Sequence, residues 1–196
     1  MRVLLVYTHP VAESFTAAVR DAALAGLGAA GHEVRLIDLY ADNFDPRMSR
    51  QDRLAYHDPK LNTLAIEPYV KLIQWAETMV FVFPIWNHGF PAMLKGWFDR
   101  VWVPEVSFHL QPGSTPQIEP LLTNVKLLVG ITTGGAPRWL TWLAGHTARR
   151  MLLRGARTQC HPKCRTLWMA HYRIDSSTPE SRARHLDRVR TRMAAL

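Results

Sequence analysis

Two kinds of hydrophobic pattern alternate along the chain. Short runs are apolar at every position, and longer runs carry apolar residues three and four apart. Residues 3–7 (VLLVY) predict a first strand, and residues 14–30, with Phe15, Val19, Ala22, Ala23 and Leu27 at helical spacing, predict a helix stopped at Gly31. A second strand is expected over 33–39 and a helix over 64–76. The run TMVFVFP (78–84) is apolar on both faces, the mark of a strand buried at the centre of a sheet. A helix over 91–102, a strand over 125–132, a helix over 138–154 and a strand over 165–170 follow. The chain closes with SSTPESRARHLDRVRTRM, where Ser177 or Thr178 can cap a helix and Pro179 fits its first turn.

Strands separated by helices need crossover connections, which are right-handed. The pattern therefore predicts an α/β fold with one open, five-stranded parallel sheet covered on both faces. Ligands in such sheets bind beyond the carboxyl ends of the strands, at the point where strand order reverses. That rule selects residues 8–16, 84–91 and 132–138. Two long polar connections interrupt the alternation, residues 40–63 and 103–123, the second carrying Pro104, Pro112, Pro116 and Pro120. Loops of such length usually line a site or meet a partner. With no internal repeat or linker, residues 1–196 are expected to form one domain.

Composition changes this picture little. At 47% hydrophobic and 20% charged residues, the chain can bury a sizeable core. The opening MRVLLVYTHP is too short in apolar residues for a secretory signal, and no stretch is long and apolar enough for a bilayer, so a cytoplasmic location without membrane insertion is expected. The net charge of +8 suits an anionic partner. Much of the excess sits in Arg182, Arg184, Arg188, Arg190 and Arg192, which read as the solvated face of a terminal helix. The aromatics do not interleave with basic residues, so nucleic acid is not expected. Two cysteines preclude a disulfide framework. Cys160, His161 and Cys164 in CHPKC offer two thiolates and an imidazole, but without a second cluster they read as a turn, and no metal is expected.

The three strand-end loops carry the candidate chemistry. In THPVAESFTAAV, Ser14 and Thr16 sit where the chain enters a helix, so free N–H groups, the helix dipole and hydroxyls converge on an anion site that suits phosphate. A plain N-cap at Ser14 is the alternative. Neither G-x-G-x-x-G nor G-x-x-x-x-G-K-[ST] occurs, which argues against dinucleotide-fold and P-loop phosphate sites. In PIWNHGFPAMLKGWFDRV, two prolines around a glycine stiffen the turn after the central strand, and Ile85, Trp86, Asn87 and His88 present amides and an aromatic to a flat, polar-edged ring. Covering a core edge is the other reading of Trp86 and Phe90. In ITTGGAPRWLTWLAGH, Thr132, Thr133, Gly134 and Gly135 let a ligand approach the main chain closely.

Together, HP with SFT after the first strand, DLY with NFDP after the second, the long PIWNHGFPAMLKGWFDRV motif and TTGG resemble the flavodoxin-like NAD(P)H:quinone oxidoreductase family, which includes bacterial quinone reductases and ancillary proteins of potassium efflux systems. The resemblance implies strand order 2-1-3-4-5, non-covalent FAD or FMN, NAD(P)H as co-substrate, a quinone-like acceptor and a homodimer with active sites at the subunit interface. It assigns His9, Ser14, Phe15 and Thr16 to the phosphate end. Pro84, Ile85, Trp86 and Asn87, with Thr132, Thr133, Gly134 and Gly135, would frame the isoalloxazine. His146 falls at the catalytic histidine, Phe108 and His88 at the substrate pocket. Two family tyrosines are replaced by Leu140 and Leu110, so His146 would act without a tyrosine relay. Arg138 is a candidate for the phosphates of NADPH. The implied reaction is ping-pong hydride transfer. A flavin-binding regulatory subunit of a potassium efflux system is the alternative, whereas a one-electron carrier fits badly because such carriers are usually acidic.

Overall fold

The computed structural model describes residues 1–110 and 118–196. Along the chain these form β1 (Arg2–Tyr7), α1 (Phe15–Ala29), β2 (Glu33–Asp38), α2 (Arg50–Ala55), α3 (Glu67–Trp75), β3 (Thr78–Pro84), α4 (Ala92–Val101), β4 (Phe108–Leu110), β5 (Ile118–Pro120), β6 (Leu127–Thr133), α5 (Arg138–Leu143), α6 (Thr147–Arg150), β7 (Arg165–His171) and α7 (Pro179–Ala194). The main sheet runs β2-β1-β3-β6-β7 with every pairing parallel. This is the expected order, since β6 and β7 are the fourth and fifth strands of that sheet.

The two-residue period of a strand divides the core. Leu4, Val6, Met79, Phe81, Phe83 and Leu128 point to one face and pack beneath α3 and α4. Val3, Leu5, Tyr7, Val80, Val82, Val129 and Ile131 point to the other, beneath α1 and α7. β3 and β6 are buried at every position because each has a strand on both sides and helices on both faces. The edge strands β2 and β7 are much more exposed. Gly130 belongs to this geometry: a Cβ there would sit 2.4 Å from the ring of Trp168 on the neighbouring strand.

Ser14 caps α1 through a bond from the Ala17 N–H at 3.1 Å, and Thr178 caps α7 through the Ser181 N–H at 3.2 Å. The long connections hold more order than their polarity suggests. Residues 40–63 include α2, set by a reciprocal capping box between Ser49 and Asp52; none of its residues is buried, so no apolar stripe announced it. Residues 103–123 contribute β4 and β5, paired antiparallel from Phe108↔Pro120 to Leu110↔Ile118. Pro112 and Pro116 lie outside the described residues.

The largest departure is the helix expected over 138–154. It stops after Leu143, where Gly145 (φ 79°) and His146 (φ 49°) both adopt left-handed conformations and the His146 N–H closes back on the Thr141 carbonyl at 2.9 Å. The chain then continues as the short α6, a π-type turn over 151–155 and a 3-10 turn over 156–159. Apolar spacing runs through this break unchanged, which is why periodicity alone merges the pieces. Among the described residues, no helix is long and apolar enough to cross a membrane.

Candidate functional site

A parallel sheet brings the carboxyl ends of all its strands to one side. The ladder extends a residue or two past the strands and ties the loops together there: Thr8 N–H to Val82 O at 3.0 Å, Ile85 N–H to Thr133 O at 2.8 Å, and Gly134 N–H to His171 O at 2.9 Å. A buried hydroxyl pair, Thr16 Oγ1 and Thr133 Oγ1 at 2.8 Å, joins the first loop to the third across 117 positions of sequence.

At the first loop, Ser14 serves as the N-cap, while the N–H groups of Phe15 and Thr16 have no partner within the helix because they begin it. They point their donors, with the helix dipole behind them, at the mouth of the loop. His9 turns its Nδ1 to the Val11 N–H at 3.1 Å and lies beside Trp86, ring centroids 5.8 Å apart. Burial lowers its pKa, so the ring is neutral at pH 7.

At the second loop, Asn87 (φ 45°) and His88 (φ 62°) both take left-handed conformations and reverse the chain, with the Gly89 N–H closing on Trp86 O at 2.9 Å. Trp86 projects outward, 43% exposed. Behind it, Ile85, Asn87, His88, Thr132, Gly134 and Gly135 line a cleft of about 170 Å³, completed by Thr141, His171 and Tyr172. Thr132 is wholly buried, yet its Oγ1 has no hydrogen-bond partner. Thr8 Oγ1, at the end of β1, is in the same condition. Leaving such groups unpaired costs about 1–3 kcal/mol each, and of the two Thr132 lines the cleft, where its hydroxyl is open to a polar partner. Pro84 and Thr133 are buried just beneath.

His146 stands apart from this cleft. With Arg138, Trp139, Trp142 and Tyr172 it lines an open hollow of about 670 Å³. The two spaces adjoin: Tyr172 borders both, and the Thr147 hydroxyl donates to the His88 carbonyl. Burial, then the charges of Arg149, Arg138 and Arg150, lower the pKa of His146, so it too is neutral at pH 7. Phe108 lines a separate, largely apolar cavity of about 510 Å³ with Phe90, Phe98, Trp102 and Met151. Leu110, at the end of β4, is 38% exposed, and Leu140 is half-buried in α5.

Sequence reading passed over the end of β7. His171 and Tyr172 line the cleft, and Phe15, His171 and His185 pack ring against ring, with centroids 5.2 Å, 5.2 Å and 6.1 Å apart. The strand-end rule, applied to the fifth strand as well as to the other three, selects them. The CHPKC turn satisfies itself: Arg157 Nε donates to Cys164 O at 2.7 Å and His161 Nδ1 accepts from the Lys163 N–H at 3.0 Å. Among the described residues, no group of three or more His, Cys, Asp or Glu is placed to hold a metal ion.

Comparison with known proteins agrees with the fold. A family model described as a flavodoxin-like fold matches residues 1–196. NAD(P)H dehydrogenase (quinone) 1 of Rattus norvegicus is 35% identical over 152 residues, covering 69% of this chain and 54% of that protein. Ribosyldihydronicotinamide dehydrogenase (quinone) of Pongo abelii is 31% identical over 156 residues, covering 71% and 66%. The chain thus spans about half to two thirds of the length of these curated relatives. A crystal structure from Streptococcus mutans UA159 superposes with a TM-score of 0.85 at 27% identity, covering 100% of both chains. Matched along its whole length, and carrying its motifs at the strand ends where this fold builds its sites, the chain belongs to the flavodoxin-like NAD(P)H:quinone oxidoreductase family.

Proposed function

We propose that the protein is a flavin-dependent oxidoreductase that passes a hydride from NAD(P)H, through bound FAD or FMN, to a quinone-like acceptor in a ping-pong cycle. The observation that carries this reading is the convergence at one sheet end of phosphate-type donors and unpaired ring-type donors. The N–H groups of Phe15 and Thr16, with Ser14 and His9 beside them, suit a phosphate. The unpartnered Thr132 hydroxyl, with the main chain of Ile85 to Asn87 and of Thr133 to Gly135, suits the polar edge of a flat ring. Those residues would hold the flavin, which when bound supplies the two-electron chemistry.

What the chain itself contributes is orientation and charge. Main-chain dipoles fixed by the bonds to Thr133 O and His171 O need no reorganisation to face a developing anion. Trp86 lies beside His9 of the first loop, and Phe15 packs against His171 and His185. His146, neutral and across Tyr172 from the cleft, is placed to exchange a proton with an acceptor in the adjoining hollow. Trp139, Trp142 and Leu143 on α5 are 62%, 70% and 67% exposed, a surface too apolar to face water in isolation. In this reading a second copy covers it and closes the hollow, and sedimentation at micromolar concentration checks the dimer.

Anaerobic stopped-flow absorbance on flavin-loaded protein tests the reaction. NAD(P)H alone bleaches the flavin band and a quinone added afterwards restores it, with parallel double-reciprocal plots in the steady state. His146→Ala keeps its flavin and loses about 100-fold in quinone turnover, the scale of one positioned proton donor. A colourless protein that takes up neither FAD nor FMN at micromolar concentration rules the reading out.

A further inference from the structure

We propose that the free edge of β7 is a docking site for an extended acidic segment of a partner protein, which joins the main sheet as a sixth strand. β7 ends the sheet, and among the described residues no strand pairs with its outer side. The Arg165 N–H donates inward to Lys126 O at 2.9 Å, and His171 O accepts inward from Gly134. By the alternation of a parallel ladder, Arg165, Leu167, Met169 and His171 direct their main-chain groups to β6. The N–H and C=O groups of Thr166, Trp168 and Ala170 therefore point outward. Such a row is a template for another strand, and proteins usually blunt or cover it.

Here the row lies open at the floor of a groove of about 680 Å³ that follows residues 166–170. Its walls carry arginines, Arg138 and Arg149 on one side and Arg188 and Arg192 of α7 on the other, and His146 and Tyr172 also line it. No acidic residue lines it, and among the described residues none of the four arginines has a carboxylate within ion-pair distance. An extended segment is the occupant that uses both features. Its main chain pairs with the outward groups, and acidic side chains, alternating above and below the new strand, meet arginines on either wall. A second copy of β7 would bring arginines against arginines, which disfavours pairing between copies. Nucleic acid would satisfy the arginines but leave the strand edge unpaired. Arg138, His146 and Tyr172 line both this groove and the hollow beside the cleft, but Arg188, Arg192 and the outward groups of Thr166 and Trp168, which the test reads, line the groove alone, so docking there needs neither cofactor nor turnover.

The test is fluorescence anisotropy with a labelled peptide of repeated Glu-Glu-Val-Val, which puts glutamates on both faces of an extended strand, read at low and at physiological salt. Binding is expected in the micromolar range, weakening with salt. It falls at least tenfold when every peptide nitrogen is methylated at unchanged charge, since methylating alternate nitrogens alone leaves one edge of the strand free to pair. A similar loss is expected for Arg188→Gln with Arg192→Gln. Hydrogen exchange adds a readout that plain charge attraction would not move, slower exchange at Thr166, Trp168 and Ala170 when peptide is bound. No binding overturns the proposal. So does equal affinity for the methylated peptide, or for a single-stranded oligonucleotide of equal charge, because either result makes the groove a general anion surface.

Discussion

The two sides of the strand-end cleft are held in opposite ways. On the first-loop side, Ser14 caps a 15-residue helix, Thr16 and Thr133 bond to each other out of water, and Phe15, His171 and His185 pack ring on ring. On the His146 side, helix gives way to two left-handed residues, a single turn of α6 and a π-type turn, and the surface carries exposed tryptophans. A phosphate-type site needs fixed donors and is built from regular elements. On the second side the short pieces split the work: Ala148, Leu152 and Leu153 are buried in the core, while Trp139, Trp142 and Leu143 of α5 face out. Stability should therefore respond strongly to changes on the first side and weakly to changes at the exposed positions of the second.

Acid is expected to act most on the firm side. Burial first, then Arg188 and the neighbouring His171, hold the pKa of His185 down to about 4. Phe15 covers it, and Arg188 reaches its Nδ1 at 2.9 Å. An unfolded histidine titrates near 6.5, so in the folded state the group binds fewer protons than in the unfolded state between those values. Its contribution is fully present above about pH 6.5 and is lost as pH falls toward 4, a difference of up to about 3 kcal/mol. Urea unfolding at pH 7 and at pH 4.5 measures it. His185→Phe should show a loss between the two pH values smaller by about that amount, and parallel losses in the two proteins would remove His185 from the account.

The hydroxyl pair comes next. Thr16→Val leaves the Thr133 hydroxyl buried with no partner, a cost of about 2 kcal/mol in unfolding free energy. Thr133→Val should cost about as much. The double variant removes both polar groups together and should recover part of the loss, so the two changes are not additive. Additive losses would mean that the 2.8 Å contact contributes little and that side-chain shape sets the cost.

How far each side can be read from the sequence follows the same division. The five-stranded parallel sheet, the central position of TMVFVFP and the Ser14 cap were legible, because burial on two faces and helix starts leave local signatures, whereas the strand order came with the family resemblance. The first two loops were placed by their motifs as well as by the strand-end rule. The break at Gly145 and His146 was not legible: Trp139, Leu140, Leu143, Ala144, Ala148 and Leu152 keep helical spacing through it, and a left-handed pair leaves no mark in hydrophobicity. α2 was missed because it buries nothing, and β4 and β5 because three residues make too short a period. The pairing of Thr16 with Thr133 and the stacking of His171 on His185 depend on chain crossings that no local pattern encodes.

The smallest expected effect on stability is that of His146→Gly, and it separates structure from chemistry there. A non-glycine residue at φ 49° carries a left-handed strain of about 1 kcal/mol. His146→Gly relieves that strain but loosens the unfolded chain by about 0.5–1 kcal/mol, so the two terms nearly cancel and the urea midpoint should move little. His146→Val faces the same backbone with a branched side chain and should lose about 1–2 kcal/mol. Quinone turnover should fall to a similar degree in both, since both lack the imidazole. Turnover that tracked stability instead, high in the glycine variant and low in the valine one, would make His146 a hinge for α6 and leave proton exchange to another group at the hollow.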